Sequence, residues 1–198
     1  DGVAGTRARR RTARPGGATG STSNEFTTHT QYDAAGRVIK TTIEASDAST
    51  IDTATNTYDL AGRMASSTDA RDNKTFYTYR RVKADGSAFT IGTDTGTFYW
   101  ESRVYPHDKD AGPVQITWTD SHGRTVLSLT GTVATDWAGS APTSIDALSE
   151  VFTRTETDYD WAGRVEATRR YFDFDTYAAG DLNQLAKPAG ATDGTHYY

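Results

Sequence analysis

The chain contains no cysteine and a single methionine. A disulfide framework and a thiolate metal site are therefore excluded, and the redox character of its compartment stays open. Aliphatic bulk is scarce as well. Leu, Ile, Val and Phe together supply 28 of 198 residues, a share below that of ordinary globular chains, so an aliphatic core of the usual kind is not expected. No apolar run approaches the roughly 20 residues that a membrane-crossing helix requires. Net charge is −5, yet the first fourteen residues carry Arg7, Arg9, Arg10, Arg11 and Arg14 against Asp1 alone, which leaves the remainder at −9. A body of that sign repels polyanions, so no nucleic-acid partner is expected.

What is present points to order. Eleven Tyr and four Trp are far more than a disordered chain carries, and each ring buries area while keeping a polar handle. With 34 Thr and 18 Gly alongside, the composition favours strands joined by tight turns, and the fold class is all-β.

A short signature recurs. Tyr32-Asp33-Ala34-Ala35-Gly36-Arg37-Val38, Tyr58-Asp59-Leu60-Ala61-Gly62-Arg63-Met64 and Tyr159-Asp160-Trp161-Ala162-Gly163-Arg164-Val165 share Y-D-x-A-G-R and then an apolar residue. A fourth copy around Asp120, Gly123 and Arg124 has lost its Tyr, and weaker echoes lie at Tyr79-Arg80 and at Asp136-Trp137-Ala138-Gly139. The spacing suits a unit of about 20 residues with some enlarged members.

The signature has a mechanical reading. Asp at the first turn position can accept backbone N–H bonds two and three residues on, and Gly takes the positive φ that other residues resist. Each copy is thus a type I turn closed by a G1 bulge, the tip of a β-hairpin pairing Asp33 with Arg37 and Tyr32 with Val38, and likewise at the other copies. A lone hairpin is marginal, so many must lie side by side in a curved antiparallel sheet. Strands are expected at Thr27–Gln31, Ile39–Ile43, Lys74–Tyr79, Thr97–Ser102, Val114–Thr119 and Thr125–Thr130. Only 144–151 and 178–186 read as helical, both too short to stand alone. Residues 1–24 read as a basic Gly/Ser/Thr-rich arm or linker, with the β-sheet segment over 25–198.

Y-D-x-x-G-R among Thr- and Tyr-rich strands resembles the RHS, or YD-repeat, family. The likeness covers roughly residues 25–198, including Asp69–Thr75 with Asp72-Asn73 where Gly-Asn is common, and Gly-Thr-His-Tyr-Tyr at the end. Members wind ribbons of β-hairpins into hollow shells in insecticidal toxin complexes, bacterial polymorphic toxins and teneurins. The resemblance implies a secreted or cell-surface protein, flanking repeats of the same longer polypeptide as neighbours, and an enclosed cargo or toxin domain. The self-cleaving plug of bacterial members, with its D-P-x-G-like motif, has no counterpart among the five prolines. The chain is expected to be an excerpt of a longer array.

Chemistry beyond the scaffold is thinly signalled. Asp173-Phe174-Asp175 with Asp181 is the densest carboxylate cluster, but Tyr177 and Gly180 break the spacing of a calcium loop, and a polar loop is the better reading. His29, His107, His122 and His196 show no zinc-site spacing, and no nucleophile elbow, phosphate loop or cofactor fingerprint occurs. No metal, cofactor or catalytic residue is assigned. A hydrolase would need a carboxylate pair that the sequence does not single out, with Asp160, Asp173 and Asp175 the nearest candidates. The rival function is a carbohydrate-binding or adhesive module, for which Trp161 is the candidate glycan contact. Trp100, Trp118, Trp137 and Trp161 are otherwise expected to pack, replacing the missing aliphatics.

Overall fold

The computed structural model describes residues 5–12, 25–45, 48–137, 142, 148–171 and 196–197, and the chain divides into two compact units, Asp1–Thr75 and Phe76–Tyr198. Every regular element among the described residues is a strand. The first unit lays β1 (Gly5–Thr12), β2 (Glu25–Tyr32), β3 (Val38–Ala45), β4 (Thr50–Tyr58) and β5 (Met64–Asp69) antiparallel in chain order. The second contains β6 (Lys74–Val82), whose first residues overlap the boundary, then β7 (Tyr99–Tyr105), β8 (Val114–Thr119), β9 (Thr125–Val133), β10 (Leu148–Tyr159), β11 (Val165–Tyr171) and β12 (His196–Tyr197), again with chain neighbours paired.

Thr is at home on this pleated surface because its β-branch restricts it to extended backbone while its hydroxyl bonds across the ladder. Thr57 and Ser66 hydroxyls meet at 2.7 Å, Thr130 and Thr153 at 2.6 Å, and Thr42 donates to Asp52 at 2.9 Å. The first unit depends on such pairs together with the His29–Glu44 hydrogen bond and the Lys40–Asp52 ion pair, each 2.7 Å long. Among its described side chains only Ser66 is buried.

The second unit does hold an aliphatic core, contrary to the expectation from composition. Val114, Ile116 and Trp118 alternate along β8 with exposed or half-exposed neighbours, and register places Ile116 opposite Leu129 and Trp118 opposite Leu127. Val82, Val133, Leu148 and Val151 extend the cluster, which also takes in the rings of Phe76, Tyr105 and Trp137. Few aliphatic residues suffice because alternation sends nearly all of those on β8 and β9 to one face. Each contributes about 1.5–3 kcal/mol on burial, against about 0.2–1 kcal/mol for a cross-strand pair at the surface, so this cluster dominates the unit's stability.

Charge is buried on the same face. Glu101 accepts from Arg80 Nε at 2.6 Å, Arg103 Nε at 2.7 Å and Trp118 Nε1 at 2.9 Å. Burial pushes its carboxyl up, but hydrogen bonds from Arg80 and Arg103 outweigh that and hold it below the usual range. A second cluster joins Arg154 to Glu156, whose other oxygen takes the Tyr171 hydroxyl at 2.9 Å. Desolvation, then the Glu156 charge, pushes the Tyr171 phenol up to about 12.

Several expectations are corrected. Leu148–Val151, read as part of a helix, opens β10, because Leu148 and Val151 pair with Val133 and Gly131 and bury against them; residues 144–147 and the second helical stretch, 178–186, lie outside the described residues. Gly5–Thr12, within the segment read as an arm, pairs along its whole length with β2, since a backbone ladder needs no apolar side chains. Tyr79-Arg80 is no turn but mid-strand in β6. Trp137 packs as expected, 5.2 Å edge-on from Tyr105 and donating to Pro106 O at 2.7 Å.

Gly131 is closely approached by the neighbouring strand. A Cβ there would lie 2.0 Å from Glu150 O, where β10 shifts register against β9. Gly131→Ala is expected to destabilise the second unit by about 1–3 kcal/mol or more through forced backbone displacement, read as a lowered urea midpoint.

Candidate functional site

One turn recurs among the described residues, four times built by the repeated signature. In the turns 33–37, 59–63, 120–124 and 160–164 the first residue's N–H donates to the fifth residue's carbonyl at 2.8–2.9 Å, and the Gly N–H donates back to the Asp carbonyl at 2.9–3.0 Å. Gly36, Gly62, Gly123 and Gly163 sit at φ +77° to +82°, the left-handed conformation that the bulge requires and that a Cβ resists. The fifth copy is Lys83–Ser87, with the same two bonds and Gly86 at φ +81°. Val82 stands there in place of Tyr and Lys83 in place of Asp, and the repeat's third start lies at Val82 rather than Tyr79. Its only sequence signal is a glycine at the right distance. The loop Asp69–Asn73 adopts the same turn with Asp72 in the glycine position at φ 63°.

Within each YD turn the aspartate is fully occupied. Asp33 Oδ1 accepts from the N–H groups of Ala35 at 3.0 Å and Arg37 at 2.9 Å, two and four residues on rather than two and three, while Oδ2 accepts from Arg37 Nε at 2.7 Å. Asp59, Asp120 and Asp160 repeat the pattern with Arg63, Arg124 and Arg164. All four carboxyls are held below the usual range: Asp33 chiefly by the Arg37 side chain, Asp59 and Asp160 chiefly by the N–H of Arg63 and Arg164. For Asp120 burial is the largest influence and opposes, but the Arg124 bonds prevail.

Arginine does a second job that the motif alone does not display. The Arg37 guanidinium lies 4.4 Å from the centre of the Tyr58 ring, on the next hairpin, and Tyr58 Oη donates back to Val38 O at 2.8 Å. Arg124 repeats this on Tyr159 at 4.6 Å, with Tyr159 Oη donating to Thr125 O at 3.0 Å. The receiving hairpin's glycine makes room: a Cβ on Gly62 would meet Arg37 Nη1 at 3.1 Å, and one on Gly163 would meet Arg124 Nη1 at 3.4 Å. Tyr, Gly and Arg are thus bound together between successive hairpins, not only within one.

Trp161 departs from expectation. Its ring is 96% exposed, where packing was expected. The second turn position points away from both ladders, and Leu60 at the equivalent place is exposed too. Beside Trp161 an open cleft of about 530 Å³ is lined by His122, Arg124, Tyr159 and Asp160. Tyr32 closes its own hairpin opposite Val38. The described residues contain no group of three His, Cys, Asp or Glu able to hold a metal ion. Asp173, Phe174, Asp175 and Asp181 lie outside the described residues. Glu101 with its two arginines was not anticipated, because only register brings β6, β7 and β8 together around it.

The Arg124–Tyr159 clasp can be measured directly. A double-mutant cycle of Arg124→Gln and Tyr159→Ala is expected to give a coupling of about 0.5–1 kcal/mol, and Tyr159→Phe alone to cost about 0.5–1.5 kcal/mol by removing the bond to Thr125 O, both read from denaturant midpoints. No family model matches this chain and no curated protein matches it, so residues and geometry carry the functional reading.

Proposed function

We propose that the chain is a non-catalytic structural segment: a strip of an RHS-repeat shell, continued by flanking repeats, that encloses or displays a cargo or toxin polypeptide in a larger secreted or cell-surface protein. The observation that carries this reading is the complete occupation of the YD signature. Each aspartate has both oxygens engaged and stays ionised at neutral pH, whereas a general acid must hold its proton there and a metal ligand must have a lone pair to offer. Tyr, Gly and Arg link hairpin to hairpin, which is the work of a wall. Enclosure would then be mechanical isolation, with ladders and clasps keeping a passenger away from solvent and proteases.

The test uses the full reading frame from which the chain comes. Chain downstream of the repeats is expected to resist a protease while the wall is folded and to be digested once urea unfolds it. Equal digestion with the wall intact would remove the enclosure reading.

A carbohydrate-binding or adhesive module is the second reading, favoured by the exposed Trp161 and its cleft, since an indole face stacks on sugar rings. The other turns use Ala34, Leu60 and Ser121 at that position, so the turn does not need the indole. Trp161→Ala is expected to leave the thermal midpoint unchanged and, under this reading, to abolish signals on a glycan array. An array on which the native chain binds nothing leaves the scaffold reading alone standing.

A further inference from the structure

On the face of β6 and β7 opposite the core, Arg81 pairs across the ladder with Trp100. Its guanidinium lies 4.3 Å from the Trp100 ring centre and 5.4 Å from that of Phe98. The rings are themselves braced, Phe98 edge-on to Trp100 at 5.9 Å and Phe89 against Phe98 at 5.1 Å. The next residue back, Arg80, points to the other face and is tied to buried Glu101.

Among the described residues no carboxylate pairs with Arg81. Arg37, Arg63, Arg80, Arg103, Arg124, Arg154, Arg164 and Arg169 all form ion pairs, while Arg81 forms none and its side chain makes no hydrogen bond among the described residues. Among the described residues Arg71 and Arg170 form no ion pair either, but no ring there holds them in place. The Arg81 Nε is buried without a partner. Its two Nη groups make no hydrogen bond among the described residues and form the open end of the fork. That end is planar and orientated, and it matches the two oxygens of a carboxylate. Much of the side-chain entropy that an anion would otherwise have to freeze is already lost to the rings.

The surroundings select among anions. Lys83, the cation on the adjoining turn, is held by Asp94 at 2.9 Å, so a phosphate dianion finds one free guanidinium where it would favour two. Trp100 is 37% exposed and Ile91, in the loop that carries Phe89 and Phe98, is 66% exposed, which gives apolar neighbours of a carboxylate something to cover. We propose that Arg81, with Trp100 and the Phe98 ring, is a docking site for an acidic polypeptide segment in which an Asp or Glu carboxylate is flanked by apolar side chains. The site is separate from the Trp161 cleft and independent of the wall reading.

The experiment titrates the ¹⁵N-labelled chain with the peptides Ac-Phe-Asp-Phe-NH₂ and Ac-Phe-Asn-Phe-NH₂, following the Trp100 indole N–H resonance assigned through Trp100→Phe. The Asp peptide is expected to shift it saturably, and the Asn peptide to bind about tenfold more weakly because the charge-assisted fork is lost. Arg81→Gln should reduce the Asp peptide to the Asn peptide's level, with the Trp161 indole unmoved throughout. Equal binding of the two peptides would overturn the proposal, as would unchanged affinity in Arg81→Gln. So would an equal shift from inorganic phosphate or from glucuronate at the same concentration, which would make the site a general anion or sugar-acid site. If Arg81→Gln loosens the fold, the two peptides on the unaltered chain still decide.

Discussion

The interaction that sets one hairpin against the next is an arginine that serves two hairpins at once. Arg37 anchors its own turn through Asp33 and then covers Tyr58 of the next hairpin, and Arg124 does the same between Asp120 and Tyr159. A two-stranded ribbon gains little from its own pairs. An arginine shared between ribbons makes the formation of one tip favour the correct placement of its neighbour. The residue types follow from this double duty. Lysine would reach the aspartate but lacks the planar face that lies on the ring and the fork that keeps a bond to Asp. Phenylalanine would keep the ring but lose the hydroxyl that ties it back to the preceding strand.

The two units are held by different means on the same plan. The first has no buried apolar side chain among those described and relies on Thr and Ser hydroxyls, His29–Glu44, Lys40–Asp52 and the Arg37 clasp. The second collects Val, Ile and Leu from β8, β9 and β10 onto one face and surrounds them with aromatic rings. It also buries two carboxylates, Glu101 and Glu156, each beside arginine. Such clusters add little net stability because desolvation nearly cancels the attraction, but removing one partner leaves a buried charge uncompensated. They therefore act against misregister: slipping β7 by one residue would put Glu101 on the opposite face from Arg80 of β6 and Trp118 of β8.

The surface divides into groups that are internally satisfied and groups that are not. Every YD aspartate and its arginine belongs to the first class. Trp161 and Arg81 belong to the second, one an apolar ring presented to solvent and the other a cation held by rings without a counter-charge. A scaffold needs neither, since Ser121 serves at one and a polar neutral residue would serve at the other.

The turns were legible in the sequence because their chemistry is local. Asp at the first position, Gly at the fourth and Arg at the fifth interact within five residues, so Tyr32–Val38, Tyr58–Met64 and Tyr159–Val165 declare both the hairpin and its register. The Lys83–Ser87 copy was missed because glycine alone survives there, and the backbone of a G1 bulge demands little else. All-β class followed from Thr, Tyr and Gly, whose preferences are likewise local. What only tertiary structure decided involves residues far apart in the chain that pairing makes neighbours: the Arg–Tyr clasp, the burial of Glu101, and the strand at Leu148–Val151 in place of a helix. No local rule specifies these, because each depends on which face a strand turns toward its neighbour, and that is set by the register of the whole ladder.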